Sequence, residues 1–268
     1  DLAMLPSLMY ATGHGFSRPL YRHISAPGMD DFLQRKTMRW DPANMPACVP
    51  SINYFGKFIL DRYYLLLTIG IVWKLFGISW TALNLPAAAA FGLMALLIYG
   101  IFRLGASRLL SWLATTVAMS APLTLYYLPS MRDFFRAPPI LAALFFCGYL
   151  ASRRVTPKTF FAISALAGVT IGMGFGFRQD AIVCLAPIGV VQVFFARGRR
   201  ALGVGSRLAA VCVTLAAFLG PAYPMLKMTY NSGGNNAFYL MQGYASDSLG
   251  WLHLGEASYI PLYHTSDF

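Results

Sequence analysis

The sequence predicts an all-α membrane protein, a polytopic helical bundle with an outer interfacial helix and extracytoplasmic loops. About 20 apolar residues cross a hydrocarbon core as a helix, and fewer suffice where flanking Arg and Lys reach the headgroups. Hydrophobic residues make up 57% of the chain and charged residues 12%, whereas about a quarter of a soluble domain is charged. Six stretches carry no charged side chain: 80–102, 109–131, 137–152, 159–177, 181–196 and 208–226.

Charged residues between these stretches orient the predicted bundle. The loops 103–108, 153–158 and 197–207 contain Arg and Lys but no Asp or Glu, which places them in the cytoplasm by the positive-inside rule. The loops 130–136 and 178–180 mix both signs and therefore face the outside. Most of the net charge of +11 is then explained by the Arg and Lys residues of the loops predicted to be cytoplasmic. The sequence contains no soluble module that combines basic and aromatic residues, so nucleic-acid binding is not predicted.

This alternation divides the chain into four parts. Residues 1–62 form an extracytoplasmic loop segment, 63–77 an interfacial helix, 78–227 a six-span transmembrane bundle and 228–268 a second extracytoplasmic segment. Both termini of the sequence are therefore expected outside. Because the sequence begins at Asp1 without Met or a signal-like segment, we expect it to be part of a longer chain, with at least one helix before it.

The segment 63–73 admits two interpretations. This uncharged run between Arg62 and Lys74 is too short to span unless the helix tilts and both cations reach the headgroups. Aromatic residues at its edges suit a helix lying in the outer interface. We therefore expect an interfacial helix rather than a seventh span, which would place the first 60 residues in the cytoplasm.

Glycine spacing predicts a close helix crossing. Gly168, Gly172 and Gly176 recur at every fourth position and so share one helix face, which lets two backbones approach closely. The glycines at 172, 174 and 176 resemble a phosphate loop only as text, because no strand precedes them. Packing is the predicted role of these residues.

Cysteine and histidine predict neither a disulfide framework nor a metal centre, and no cofactor is expected. His253 and Glu256 are a closely spaced pair of ligand types, and two residues do not make a site. Three cysteines lie inside apolar stretches, where a thiol behaves as a small hydrophobe, and one lies outside. These residues are Cys147, Cys184, Cys212 and Cys48, and the histidines are His14, His23, His253 and His264.

Ionisable residues at the outer surface are the candidate binding groups. Guanidinium groups bind phosphate oxygens bidentately, so a cluster at the lipid boundary can hold a phosphate beside an acyl or isoprenoid tail. Alternatively, each cation pairs with a neighbouring acid or merely extends toward the headgroups. The candidates are Arg178 with Asp180, Arg132, Asp133 and Arg136 in one loop, and Lys57, Asp61 and Arg62 before the interfacial helix.

Three segments resemble the C-type (GT-C) membrane glycosyltransferases that use polyprenyl-phosphate sugars. Asp1-Leu2-Ala3, followed by Tyr-Ala-Thr-Gly-His-Gly-Phe-Ser at 10–17, resembles the first outer loop of that family. Residues 63–79, ending in Leu-Phe-Gly-Ile-Ser, are similar to its juxtamembrane helix. Residues 168–180, ending in Arg-Gln-Asp before a span with Pro187, resemble its glycine-rich helix. The resemblance covers about residues 1–200.

The resemblance implies an inverting transferase of the bacterial cytoplasmic membrane and cell envelope, with the donor lipid in the outer leaflet. An Asp near the membrane would accept the proton of the acceptor hydroxyl, and apolar surroundings would raise its pKa. Asp1 is the first candidate for this base, and Asp30 or Asp31 the second. Fixed cations would stabilise the leaving phosphate. Arg178 with Arg132 or Arg136 is the candidate clamp, and Lys57 and Arg62 are further candidates for substrate binding.

This chain departs from the family pattern at the acidic motif. Many members carry two adjacent acidic residues in the first loop, whereas Leu2 follows Asp1, and the pair Asp30-Asp31 lies later in the loop. A non-catalytic membrane scaffold or accessory subunit, with outer segments that dock membrane-protein partners, is the alternative interpretation. A transporter fits less well, because the six stretches hold no ionisable residue at mid-depth.

Overall fold

The computed structural model describes residues 4–19, 26–52, 62–122, 124, 134–198 and 203–231. These residues are predominantly helical, with one short antiparallel pair of two-residue strands, β1 (Arg18–Pro19) and β2 (Ser51–Ile52). The α-helices are α1 (Leu5–Ala11), α2 (Met29–Leu33), α3 (Tyr63–Phe76), α4 (Asn84–Arg103), α5 (Arg108–Ser120), α6 (Ala137–Ser152), α7 (Pro157–Phe177), α8 (Leu185–Val190) and α9 (Val204–Asn231).

Local sequence explains where several helices begin. Ser107 caps α5 by accepting a hydrogen bond from the backbone N–H of Leu110, and Thr156 caps α7 in the same way. Prolines occupy the first turns of α6 and α7, where their missing N–H groups would have no helical partner. Gly77 ends α3 at a φ of 87°, a conformation that glycine adopts without strain.

Residues before the first long helix form a cap, defined here as the described residues 4–19, 26–52 and 62–80. Its core is aromatic and aliphatic, and the indoles of Trp40, Trp73 and Trp80 each donate a hydrogen bond to a backbone carbonyl. Ser7 of α1 donates to the Leu66 carbonyl of α3 at 2.7 Å. The cap therefore has a hydrophobic core, and Phe135 and Phe177 of the following segments pack against it.

Three helices in the described residues are long and apolar enough to cross a membrane. They are Thr81–Arg103, which joins a 3₁₀ turn to α4, then Pro157–Phe177 and Val204–Lys227. Two other predicted stretches form shorter apolar helical segments, Ala137–Ser152 and Gln179–Phe195. The stretch 109–131 begins as α5, and its last part lies outside the described residues.

The stretch 181–196 is not one regular α-helix. It consists of a 3₁₀ segment (Gln179–Cys184), α8 and a π-helical segment (Val191–Phe195). Pro187 accounts for the first transition, because its ring excludes the carbonyl four residues earlier and its nitrogen carries no hydrogen.

The loops sort to two opposite ends of the bundle. At one end Arg153 donates to the Arg103 carbonyl at 3.4 Å, and the backbone N–H of Val155 donates to Arg197 at 2.9 Å. The loops predicted to be cytoplasmic therefore meet there. At the other end Arg136 pairs with Asp180, so the two predicted outer loops also meet.

Helix α3 lies across this second end. Tyr64 in its first turn contacts Phe177 at the end of α7, with ring centroids 6.1 Å apart. Its other end leads through residues 77–80 into Thr81, where the first long helix begins. Because both ends of α3 meet the same end of the bundle, its axis crosses the helix ends.

The predicted glycine crossing is confirmed between α7 and α9. A Cβ atom at Gly168 would overlap the Thr214 carbonyl, and one at Gly172 would overlap the Phe218 carbonyl. The expectation for Gly176 was wrong, because its neighbour is not a helix backbone. The Tyr64 ring fills that position, so this glycine seats a cap residue on the bundle.

A polar cluster that the sequence had not indicated lies between the same helices. Gln192 of the π segment is fully buried and donates to the hydroxyls of Ser164 and Thr214 at 2.9 and 2.7 Å. Arg207 donates hydrogen bonds to the carbonyls of Gln192, Val193 and Ala196. It therefore satisfies carbonyl groups that lack a helical partner at the end of the π-helical segment.

Candidate functional site

Two arginines and one aspartate meet at the end of the bundle that carries the cap. Arg136 precedes α6, and Arg178 follows α7 with an extended backbone that ends the helix. Asp180 lies in the next turn. Its Oδ2 forms ion pairs with Nη1 of Arg136 at 3.1 Å and with Nε of Arg178 at 3.2 Å. We call these three residues the arginine cluster.

The ion pairs of the arginine cluster are partly exposed to solvent. Its three side chains are 29–39% exposed, so solvent weakens each ion pair, and exposed pairs contribute about 0–1 kcal/mol. Asp180 Oδ1 is buried and has no hydrogen-bond partner among the described residues. Guanidinium groups bind anions through bidentate hydrogen bonds, so these two arginines are candidate anion ligands.

A continuous series of aromatic rings adjoins the cluster and joins the cap to α4. Neighbouring centroids lie 5.1–6.4 Å apart along the order Phe16, Tyr63, Tyr64, Phe177, Phe135, Phe134 and Phe91. Phe135 and Phe177 directly precede the two arginines in sequence. The rings therefore give the cluster an apolar wall on the side of the cap.

Tyr64 anchors this wall to the bundle. Its ring fills the space beside Gly176, and its hydroxyl donates to the carbonyl of Pro221 in α9. Burial raises the pKa of Tyr64, with a smaller contribution from the nearby Tyr63. The hydroxyl therefore keeps its proton and its donor role at neutral pH.

The structure describes five of the eight predicted site residues. Arg136 and Arg178 come together, as one predicted pairing required. Arg62 immediately precedes α3, whose first turn meets the ring series. Asp30 and Asp31 are exposed in the first turn of α2. Three residues lie outside the described residues: Asp1, Lys57 and Arg132.

The acidic pair of α2 stands apart from the arginine cluster. Phe32 of α2 packs on Trp73 near the end of α3, whereas Tyr64 at its start contacts Phe177. Nine residues of helix separate those contacts, a rise of about 14 Å. Asp31 also pairs with Lys36 at 3.2 Å on the surface.

Sequence reasoning missed the aromatic members of the site. The available signal was local, because an aromatic residue directly precedes each arginine of the cluster and two tyrosines open α3. No spacing rule connects these three segments, since their contacts are long-range. Among the described residues, no group of three His, Cys, Asp or Glu side chains could hold a metal ion.

No protein-family model, curated protein or solved structure matches this chain.

Proposed function

We propose that this chain belongs to a multi-pass membrane glycosyltransferase that moves a sugar from a polyprenyl-phosphate donor to an acceptor at the outer membrane face. The observation that carries the proposal is the meeting of Arg136 and Arg178 beneath the cap. Two guanidinium groups beside an apolar aromatic wall match the two parts of the donor, a phosphate and an isoprenoid chain.

The membrane arrangement belongs to the same proposal. The three long apolar helices, together with the shorter helical segments beside them, form a six-span bundle in the bacterial cytoplasmic membrane. The loops rich in Arg and Lys face the cytoplasm. The cap and the arginine cluster then face the outside, and α3 lies in the outer interface, where its aromatic and basic residues are favourable.

The reaction is a single displacement. The acceptor oxygen forms a bond to the anomeric carbon as the bond from that carbon to the phosphate oxygen breaks, which inverts the centre. The phosphate leaves with added negative charge, which Arg136 and Arg178 stabilise as fixed cations. A carboxylate takes the hydroxyl proton. Asp1 remains our first candidate, because Asp30 and Asp31 lie across the cap from the arginine cluster.

One observation favours a second candidate, a non-catalytic membrane scaffold. Asp180 already pairs with both arginines, so the cluster has a structural partner without any ligand. In that case the cap would be a docking surface for another membrane protein, and the charged groups would hold the loops together.

Binding of a short-chain polyprenyl phosphate to the purified chain separates these candidates. We expect the wild type to bind, Arg178→Ala to lose binding, and Arg178→Lys to recover part, because lysine cannot form the bidentate fork. Arg154→Ala, an exposed cation at the opposite end, should leave binding unchanged. Absence of binding by folded wild-type protein would favour the scaffold.

A further inference from the structure

A groove separate from the arginine cluster lies where the cap meets the first long helix. It has a volume of about 520 Å³, and its lining includes Arg39, Trp40, Phe76, Ser79, Thr81 and Leu85. A backbone bridge to Ser79 fixes Arg39: Trp40 N–H donates to Ile78 at 3.1 Å, and Trp80 N–H donates to Met38 at 3.0 Å. The groove lining includes one guanidinium and two hydroxyls, and the hydroxyls of Ser79 and Thr81 hydrogen-bond each other at 2.6 Å.

The apolar side of the groove continues down α4. Phe76 and Leu85 are 62% and 56% exposed. Leu85, Ala89, Gly92 and Leu96 share one exposed face of the helix, because they are spaced at about one turn. From Leu85 to Leu96 this stripe is about 16 Å long, close to half of a hydrocarbon core of about 30 Å.

The stripe ends in a second cavity between α4 and α5. That cavity has a volume of about 570 Å³, and Gly92, Leu96, Tyr99, Trp112 and Met119 are among its lining residues. A polar entrance at the cap and an apolar trough one leaflet deep are thus arranged along a single helix.

We propose that this groove holds an anionic phospholipid, with its phosphate on Arg39 and an acyl chain along α4 into the cavity beside α5. The inference rests on α4 spanning the membrane and on no other part of the proposed function. The lipid would fix the cap to the bundle at the end of α3 remote from the arginine cluster.

The charges select a phospholipid rather than the sugar donor. Arg39 is the one charged residue among the described groove lining, which matches a singly charged phosphodiester. Neighbouring charges are engaged elsewhere: Arg35 stacks 4.5 Å from the Trp80 ring centre, Lys74 lies 5.4 Å from that of Tyr10, and Asp41 accepts from the backbone of Ala43. Arg39 forms no ion pair with a described carboxylate.

Native mass spectrometry of the delipidated full chain tests the proposal with three probes: dioleoyl phosphatidylglycerol, dioleoyl phosphatidylcholine and a short-chain polyprenyl phosphate. Arg39→Gln removes the headgroup contact. Gly92→Leu places a side chain in the trough. The space beside Gly92 is open, so the new side chain fits without displacing other residues. Gly220→Leu, which is equally unobstructed on α9, and Arg154→Gln are the matched controls.

We expect wild type to retain phosphatidylglycerol about tenfold over phosphatidylcholine, and Arg39→Gln to lose that preference. Gly92→Leu should reduce retention of phosphatidylglycerol, and both controls should match wild type. Equal retention by Arg39→Gln and wild type would overturn the proposal. Arg39-dependent displacement of phosphatidylglycerol by polyprenyl phosphate would overturn it as well, because the groove would then belong to the donor.

Discussion

Asp180 decides how the arginine cluster behaves, because its carboxylate competes with any anion for the same guanidinium groups. A phosphate that enters the cluster meets two guanidinium groups that already pair with one carboxylate. It also meets the negative charge that holds them there. The two candidate functions therefore assign opposite effects to the removal of that charge.

Replacement of Asp180 by Asn tests this competition. If the cluster binds phosphate, Asp180→Asn should tighten polyprenyl-phosphate binding by roughly three- to tenfold, because a competing charge has gone. Stability should fall by no more than about 1 kcal/mol, since these pairs are partly exposed. Titration of the lipid and thermal unfolding measure both quantities. A loss of stability without tighter binding would support the purely structural role.

Tyr64 links the cap to α9 through one hydroxyl. Its removal in Tyr64→Phe should lower the stability by about 1 kcal/mol at pH 8. The raised pKa means that the folded state holds this proton more tightly than the unfolded chain, whose tyrosine titrates near 10.0. The contribution is therefore complete below pH 10 and is lost as the pH rises through the folded pKa.

Thermal unfolding of wild type and Tyr64→Phe from pH 8 to 11 checks this prediction. The difference between the two proteins should shrink above pH 10. Tyr223→Phe, at a position that is 61% exposed, serves as the control and should follow wild type throughout. A stability difference between wild type and Tyr64→Phe that stays constant from pH 8 to 11 would contradict the role of the Tyr64 proton.

At the element scale, α7 and α9 cross closely where Gly168 and Gly172 meet the backbone of α9. Gly172→Leu should destabilise the protein by about 1–3 kcal/mol, because the new side chain would displace the backbone of Phe218. Val169→Leu should be tolerated, since Val169 lies on another face and is 38% exposed. The yield and melting temperature in detergent measure both effects, and equal stability would contradict the crossing.

Sequence patterns predicted elements better than their contacts. Charge-free runs identified α4, α7 and α9 because length and composition alone determine whether a helix can span. Glycine spacing located the crossing of α7 and α9 because positions four apart share one helix face. The charge-free run 181–196 predicted one regular span, and that expectation was wrong, because the helix is interrupted near Pro187.

The candidate site could be predicted only in part. Its arginines were identified because cations at span ends are conspicuous in an apolar sequence. The approach of Arg136 to Asp180 and of Tyr64 to Gly176 depends on how distant segments pack, and no local pattern encodes it. For the same reason, the distance between α2 and the arginine cluster became visible only with the fold.

At the scale of the whole molecule, the sorting of loops to two ends makes a prediction about membrane sidedness. In a variant whose four cysteines are replaced by serine, Gln34→Cys in the cap should react with a membrane-impermeant maleimide in intact cells. Arg154→Cys at the opposite end should react only after the cells are opened. Both positions are exposed, so access depends on the membrane. Labelling of residue 154 in intact cells would reverse the proposed orientation.

Sugar transfer itself is the most direct test of the central claim. The full chain in lipid vesicles, given a short-chain polyprenyl-phosphate sugar and candidate acceptors, should release polyprenyl phosphate and form a product of inverted anomeric configuration, detected by mass spectrometry and NMR. Asp1→Asn should abolish transfer while donor binding persists, and Arg178→Ala should lose both. Donor binding by wild type without transfer to any acceptor, and with Asp1→Asn indistinguishable from it, would contradict the catalytic account.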